Sequence, residues 1–406
     1  GNTRWKYPAE ARLSDNPSLW NGALYAITQN GVMVSLDMES GMPRWKARVA
    51  PAVGGDIASV TAHEGRVYAT AGKSQWDGSE RVVCVNATDG EKFWEVKPDT
   101  GLWNFIPMFP GDGSVIFQTQ NGDPYAVRIS DGQVLWSHHR EPSGWTDGGT
   151  TIGPNGIAYV THADGHIDKL SPSQTSDLTA HRISDGEMLW RHEYPTPPNS
   201  WPVVAQVGES KRWTVLFPYG GQSYQSSVMF AMMRLSFLPD FAQKSAFLSL
   251  NWLYLALGRW GKYLFKYLFW LNLDFPWPGG VTAFEPETGK VLWEWHAPDW
   301  WMPEVKGDDT GLATRTYFVY EQGKIHGQNM CIPNPWASPT VDVDGTAYLG
   351  FQDGVLYALR ERGGKGEVAD SFATSAAFSH PGIAMAPGML AVANCDTLYV
   401  FKYEES

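Results

Sequence analysis

The chain has 406 residues, of which 43% are hydrophobic and only 18% charged, and it carries 42 Gly, 27 Pro and 20 Trp. So many turn formers and aromatics, with so few charges, argue against a helical bundle and for an all-β protein of short strands. A net charge of −12 argues against a nucleic-acid partner, because phosphate binding needs a basic face.

In chain order, the first residues read TRWKYP and carry Trp5. Next comes ESGMPRW, ending at Trp45, and nearly the same phrase returns as TDGEKFW at Trp94, SDGQVLW at Trp136, SDGEMLW at Trp190 and ETGKVLW at Trp293. In every copy a glycine stands four residues before the tryptophan: Gly41, Gly90, Gly132, Gly186 and Gly289. The Asp-Gly, Ser-Gly or Thr-Gly pair is turn chemistry, because glycine takes positive φ without steric cost. A strand lies upstream each time, as in VVCVNATDG and PYAVRISDG, and the tryptophan anchors the return strand. One more strand precedes each hairpin and ends in a second turn, as in LYAITQNG and AYLGFQDG. The unit is therefore a β-meander of three or four strands.

Successive tryptophans are 49, 42, 54 and 103 residues apart, with a degenerate copy 79 residues further on at Phe372. A period of about 40–50 residues with four strands per unit predicts the blades of a β-propeller. The tryptophans Trp5, Trp45, Trp94, Trp136, Trp190 and Trp293 then dock one blade on the next, a structural role. The last repeat, GMLAVANCDTLYVFKY, stops before any tryptophan strand, and TRWKYP supplies the matching piece. An N-terminal strand completing the C-terminal blade would close the ring and remove its open edge. The count is seven blades, or eight if one lies within the poorly patterned residues 294–340.

The spacing of an Asp or Asn, a Gly and a Trp after Tyr-Ala-Val or Tyr-Ala-Leu resembles the PQQ-type repeat across most of residues 1–220 and 280–406. That repeat occurs in quinoprotein dehydrogenases and in the outer-membrane assembly lipoprotein of the Bam complex. The resemblance implies the propeller fold. It is divided on function, since the family includes both enzymes and proteins without a cofactor. In the enzymes it implies PQQ on the propeller axis, a calcium ion polarising the quinone and a carboxylate as base. The adjacent cysteine pair common in that pattern is missing: Cys84, Cys331 and Cys395 are far apart. They read either as one disulfide and a free thiol or as three thiols.

Other candidate chemistry is sparse. Asp342 and Asp344 in TVDVDGTAY fit a turn better than a calcium loop, because the later Glu of such a loop is missing. His162 and His166 flank a turn, where an i,i+4 pair does not converge on a metal. Asn86 in NAT sits where the repeat expects a turn former, so it is read as a turn residue before a glycosylation acceptor. Trp300 and Trp301, in the loop PDWWMPEV, would either floor a flat ligand or plug the channel. No catalytic residue and no metal ligand stands out. The chain begins at Gly1, without Met or an apolar signal run, and reads as a processed or trimmed product.

Residues 222–280 break the pattern and divide the chain into blades before (1–221) and after (281–406). Between Phe241 and Phe275 lie eleven aromatics, four basic residues (Lys244, Arg259, Lys262 and Lys266) and one acid, Asp274. That makes the segment +3 and leaves −15 on the rest of a chain whose total is −12. The composition predicts helix. The uncharged run Ser245–Gly258 is 14 residues, short of the roughly 20 that a spanning helix needs. Arg259, Lys262 and Lys266 fall on one helical face, with Trp252, Trp260, Phe265, Phe269 and Trp270 around them. Such a helix would lie in a membrane surface, or pack on a partner, lipids or pigments, or fold over the propeller itself.

These readings combine into a non-catalytic scaffold or peripheral subunit. It docks through 222–280 to a membrane or membrane-protein complex, as an assembly factor or as a lumenal subunit of a respiratory or photosynthetic complex, in a periplasm or organelle lumen, with no cofactor predicted. The competing reading is a PQQ- and calcium-dependent oxidoreductase.

Overall fold

The computed structural model describes residues 3–13, 16–54, 57–58, 60–73, 78–141, 144, 146, 149–163, 176–194, 200–220, 237–257, 260, 279–300, 306, 336–394 and 397–402. These residues form seven antiparallel sheets, each a meander whose strands pair in sequence order. We label them A (18–48), B (61–96), C (114–137), D (150–194), E (203–296), F (340–373) and G (378–402). Sheets A, B, D, E and F have four strands, while C and G have three. A short parallel pair, Ile57–Ala58 with Asn104–Phe105, is the one other sheet among the described residues. The chain divides into two compact units, residues 1–165 with 178–192, and 166–177 with 193–406.

The recurrent phrase has one geometry. In each turn the amide of the frame glycine donates to the carbonyl four residues back: Gly41 to Asp37, Gly90 to Asn86, Gly132 to Arg128, Gly186 to Arg182 and Gly289 to Glu285, at 2.8–3.0 Å. All five glycines have φ between 68° and 78°, the left-handed region that a Cβ disfavours. Immediately after the turn the last strand of the sheet bulges by one residue. The register skips Arg44, Phe93, Leu135 and Leu292, so the next residue, the tryptophan, falls opposite a small side chain on the strand before it. Those pairs are Trp45 with Ser35, Trp94 with Cys84, Trp136 with Ala126 and Trp293 with Ala283. A bulge re-aims a side chain, and the small partner leaves room beside the indole. This accounts for Cys84 as a fully buried, free thiol.

Sheet F corrects the expectation at Phe372. Its bulge falls between Ala358 and Leu359, and Ala358 pairs with Asp370, four residues after Gly366. The tryptophan position of this repeat is therefore held by Asp370, and Phe372 lies two residues beyond it. Phe372 instead packs edge-on against Tyr399 and Phe401 of sheet G.

Candidate functional site

Five of the six repeat tryptophans pack against a glycine outside their own sheet. Within the first unit, Trp45 lies on Gly90 and donates Nε1–H to the Ala87 carbonyl at 2.9 Å. Trp94 lies on Gly132 and donates to Ile129 at 2.8 Å, and Trp136 lies on Gly186 and donates to Ile183 at 2.7 Å. Trp5 takes the same stance on sheet A, against Gly41 with its Nε1 2.9 Å from the Met38 carbonyl. In the second unit, Trp293 lies on Gly366. Trp190 tilts against Tyr159 of its own sheet, at 5.8 Å between ring centroids. Trp300 is half-buried against the core shared by sheets E and F, while Trp301 lies outside the described residues.

The inserted segment leaves and rejoins sheet E at one spot. Gly220 ends the strand Arg212–Gly220, Gly279 begins Gly279–Phe284, and the two glycines are direct partners in the antiparallel ladder. Everything between them is an excursion from the end of one hairpin. The one helix with assigned bounds among the described residues, α1, spans Asp240–Leu257, and Trp260 beyond it is also helical. Pro239 stands just before it, where a missing amide costs nothing, and Asp240 brings negative charge to the positive end of the helix dipole. Phe237, Phe241, Trp252 and Trp260 are 78%, 76%, 72% and 64% exposed. Arg259, Lys262, Phe265, Lys266, Phe269 and Trp270 lie outside the described residues. No helix of the described residues is long and apolar enough to cross a membrane.

A second constellation, which the sequence reading missed, is the buried carboxylate of Asp123. Its Oδ1 accepts from Asn121 Nδ2 at 2.9 Å and from the Arg140 amide at 2.8 Å. Its Oδ2 accepts from Thr100 and Thr119 hydroxyls at 3.1 and 3.2 Å, with His139 Nδ1 at 3.4 Å. Asn121 Oδ1 accepts the Gly144 amide, and the Gln120 carbonyl accepts the Thr146 amide at 2.9 Å. Together these bonds pin Arg140, Gly144 and Thr146 onto the turn of TQNGD. With its acceptor positions filled from within the protein, Asp123 is a clamp rather than an open ligand. The signal in the sequence was an acid directly after a turn glycine on a strand whose other residues are buried.

Beside this clamp, His181 is buried and held at about 4, mainly by desolvation, which the hydrogen bond to the Gly186 carbonyl partly opposes. A carbonyl only accepts, so His181 Nδ1 carries the proton (3.1 Å) and Nε2 faces Thr179 Oγ1 at 3.0 Å. The His138 ring lies 5.2 Å from it between centroids, and burial also lowers that imidazole. Asp342 is a turn residue: its Oδ1 accepts the amides of Asp344 and Thr346, both at 2.9 Å. Asn86 likewise accepts the Thr88 amide at 2.9 Å. His162 is buried beside Gly122, while His166, Cys331 and Cys395 lie outside the described residues.

The family model described as outer membrane protein assembly factor BamB matches residues 1–141 and 60–212, together more than half of the chain. The chain belongs to this family. The BamB-type repeat gives a β-propeller of PQQ-like repeats. The crystal structure of BamB from Moraxella catarrhalis is similar over 98% of this chain and 88% of that one, with a TM-score of 0.58 and 14% identity. Among curated relatives, the dehydrogenase subunit of the quinone alcohol dehydrogenase of Acetobacter aceti is 28% identical over 69% of this chain. BamB of Bordetella pertussis is 25% identical over 34%. The chain spans about a third of the length of each: 32% of the first and 33% of the second.

Because the BamB-type repeat is shared with quinone enzymes, the donor set matters. Among the described residues no three His, Cys, Asp or Glu side chains gather to hold a metal ion. Asp123 and Asp342 are both committed to internal hydrogen bonds.

Proposed function

We propose that this chain is a non-catalytic scaffold or peripheral subunit, placed outside the cytosol beside a membrane. It docks through residues 222–280 to the membrane or to an integral membrane-protein complex. One observation carries the reading: the insertion leaves a propeller sheet at a single pair of glycines and presents Phe237, Phe241, Trp252 and Trp260 to solvent. Exposed apolar clusters of this kind mark interaction surfaces. Family membership adds support, since the matching model and one curated relative are outer membrane protein assembly factors by name.

The same reading has residues 3–8 closing a ring of seven or eight blades. Trp5 supports it by taking, on sheet A, the stance that fourth-strand tryptophans take on theirs.

The second reading is a PQQ- and calcium-dependent oxidoreductase, favoured by the 28% identity to an alcohol dehydrogenase subunit. One experiment separates the two. The intact chain and a version with 222–280 replaced by a short Gly-Ser loop are mixed with native membrane vesicles, and separately with PQQ and Ca²⁺. Membrane association that disappears with the insertion, without quinone uptake, supports the scaffold. Stoichiometric quinone uptake by both versions establishes the enzyme instead.

A further inference from the structure

Resting on that scaffold reading, we infer that α1 is an in-plane anchor for an anionic lipid surface, entering through one stripe that contains Phe241, Trp252 and Trp260. Of the helical residues whose side chains are described, Phe241, Ser245, Ser249, Trp252, Ala256 and Leu257 are exposed, as is Trp260 beyond α1. Leaving aside Leu257 at the margin, those of α1 follow steps of four, four, three and four. At about 100° per residue these five fall within an arc of roughly 80°. They therefore share one face of the helix.

A solvent-facing helix surface is normally polar and charged, yet among the described side chains of this face Phe241 and Trp252 are large exposed aromatics, with Trp260 beyond them a third. Aromatic rings spaced along a helix that lies flat suit the depth between headgroups and acyl chains, where indole N–H groups keep polar partners. The small residues between them let the helix backbone approach that surface closely.

Charge selects the kind of surface. α1 itself is neutral, with Asp240 and Lys244, but the insertion 222–280 that carries it has five basic residues and two acids, +3, while the remainder of the chain is −15. An anionic bilayer attracts juxtamembrane basic residues by about 1 kcal/mol each and repels the acidic remainder. The insertion is thus the part of this molecule whose sign matches such a surface.

The test is flotation of the whole chain with protein-free vesicles of phosphatidylglycerol and phosphatidylcholine, beside vesicles of phosphatidylcholine alone. The expected result is binding to the anionic vesicles that weakens at least tenfold on pure phosphatidylcholine and again as salt rises. Trp252→Ser with Trp260→Ser should weaken it by about tenfold or more. Both side chains are largely exposed, so the thermal melt of that double variant should match the parent. Equal flotation of parent and double variant overturns the assignment of the stripe. Binding to native membrane vesicles but not to protein-free anionic vesicles overturns the lipid assignment and leaves the scaffold reading standing, with a protein partner. Binding to neither overturns both.

Discussion

The indole of Trp45 covers Gly90 of the next sheet so closely that a Cβ there would sit 2.7 Å from Trp45 Cε3. The glycine is required twice, once by its φ of 78° and once by the ring above it. Gly111 has a similar φ of 87° but open space around its missing Cβ. Gly111→Ala should therefore register backbone strain alone, about 1–2 kcal/mol. Gly90→Ala should register strain plus overlap with a ring, about 3–4 kcal/mol in all. Urea denaturation of the two variants checks this; equal losses would show that the indole yields freely.

Removing the ring tests the same contact from the other side. Trp94 is nearly buried and donates to Ile129, so Trp94→Ala should cost about 3–5 kcal/mol. Trp45→Phe keeps most of the apolar contact and loses one hydrogen bond. The Ala87 carbonyl retains Tyr25 as a donor at 3.1 Å, so about 1 kcal/mol is expected. A loss from Trp45→Phe as large as that from Trp94→Ala would place the energy in the hydrogen bond and not the ring.

Acid should weaken the fold through His181. The unfolded imidazole takes a proton near 6.5, whereas the buried one resists down to about 4. Between those values the unfolded chain binds more protons, so stability falls as pH drops through that window, by on the order of 3 kcal/mol at most. His138, lowered mainly by burial and next by the charge of Arg140, acts in the same direction. His181→Asn should be less stable than the parent at pH 7.5, and the gap should narrow by pH 4.5. A gap that is constant across urea midpoints at pH 7.5, 5.5 and 4.5 would sink the assignment.

Asp123→Ala should free residues 138–146 by leaving the Arg140 amide, Asn121 and two threonine hydroxyls without their acceptor. A loss of about 3 kcal/mol is expected, with new proteolytic cleavage near His139. Unchanged cleavage in limited proteolysis would mean that the backbone bond from Thr146 to Gln120 holds the segment unaided.

Much of this architecture was legible because its signals are local. A glycine four residues before a tryptophan specifies a turn and the start of a return strand, and these need only neighbouring residues. The frame failed at Phe372, where the eye follows the aromatic ring while the ladder follows Gly366 and places Asp370 in the tryptophan register. The clamp at Asp123 was hidden for a different reason: its partners lie 2, 4, 17 and 23 residues away, and no short motif links them.

By itself, the sequence determined the repeat, the strand order within each meander, the position of the inserted segment and its inverted charge, since each follows from period, turn chemistry and composition. The tertiary structure alone decided which small residue faces Trp45, Trp94, Trp136 and Trp293, where the insertion is rooted and that Phe241 and Trp252 of α1 meet solvent. Those depend on bulges, ladder register and burial, which arise only when segments far apart in the chain pack together.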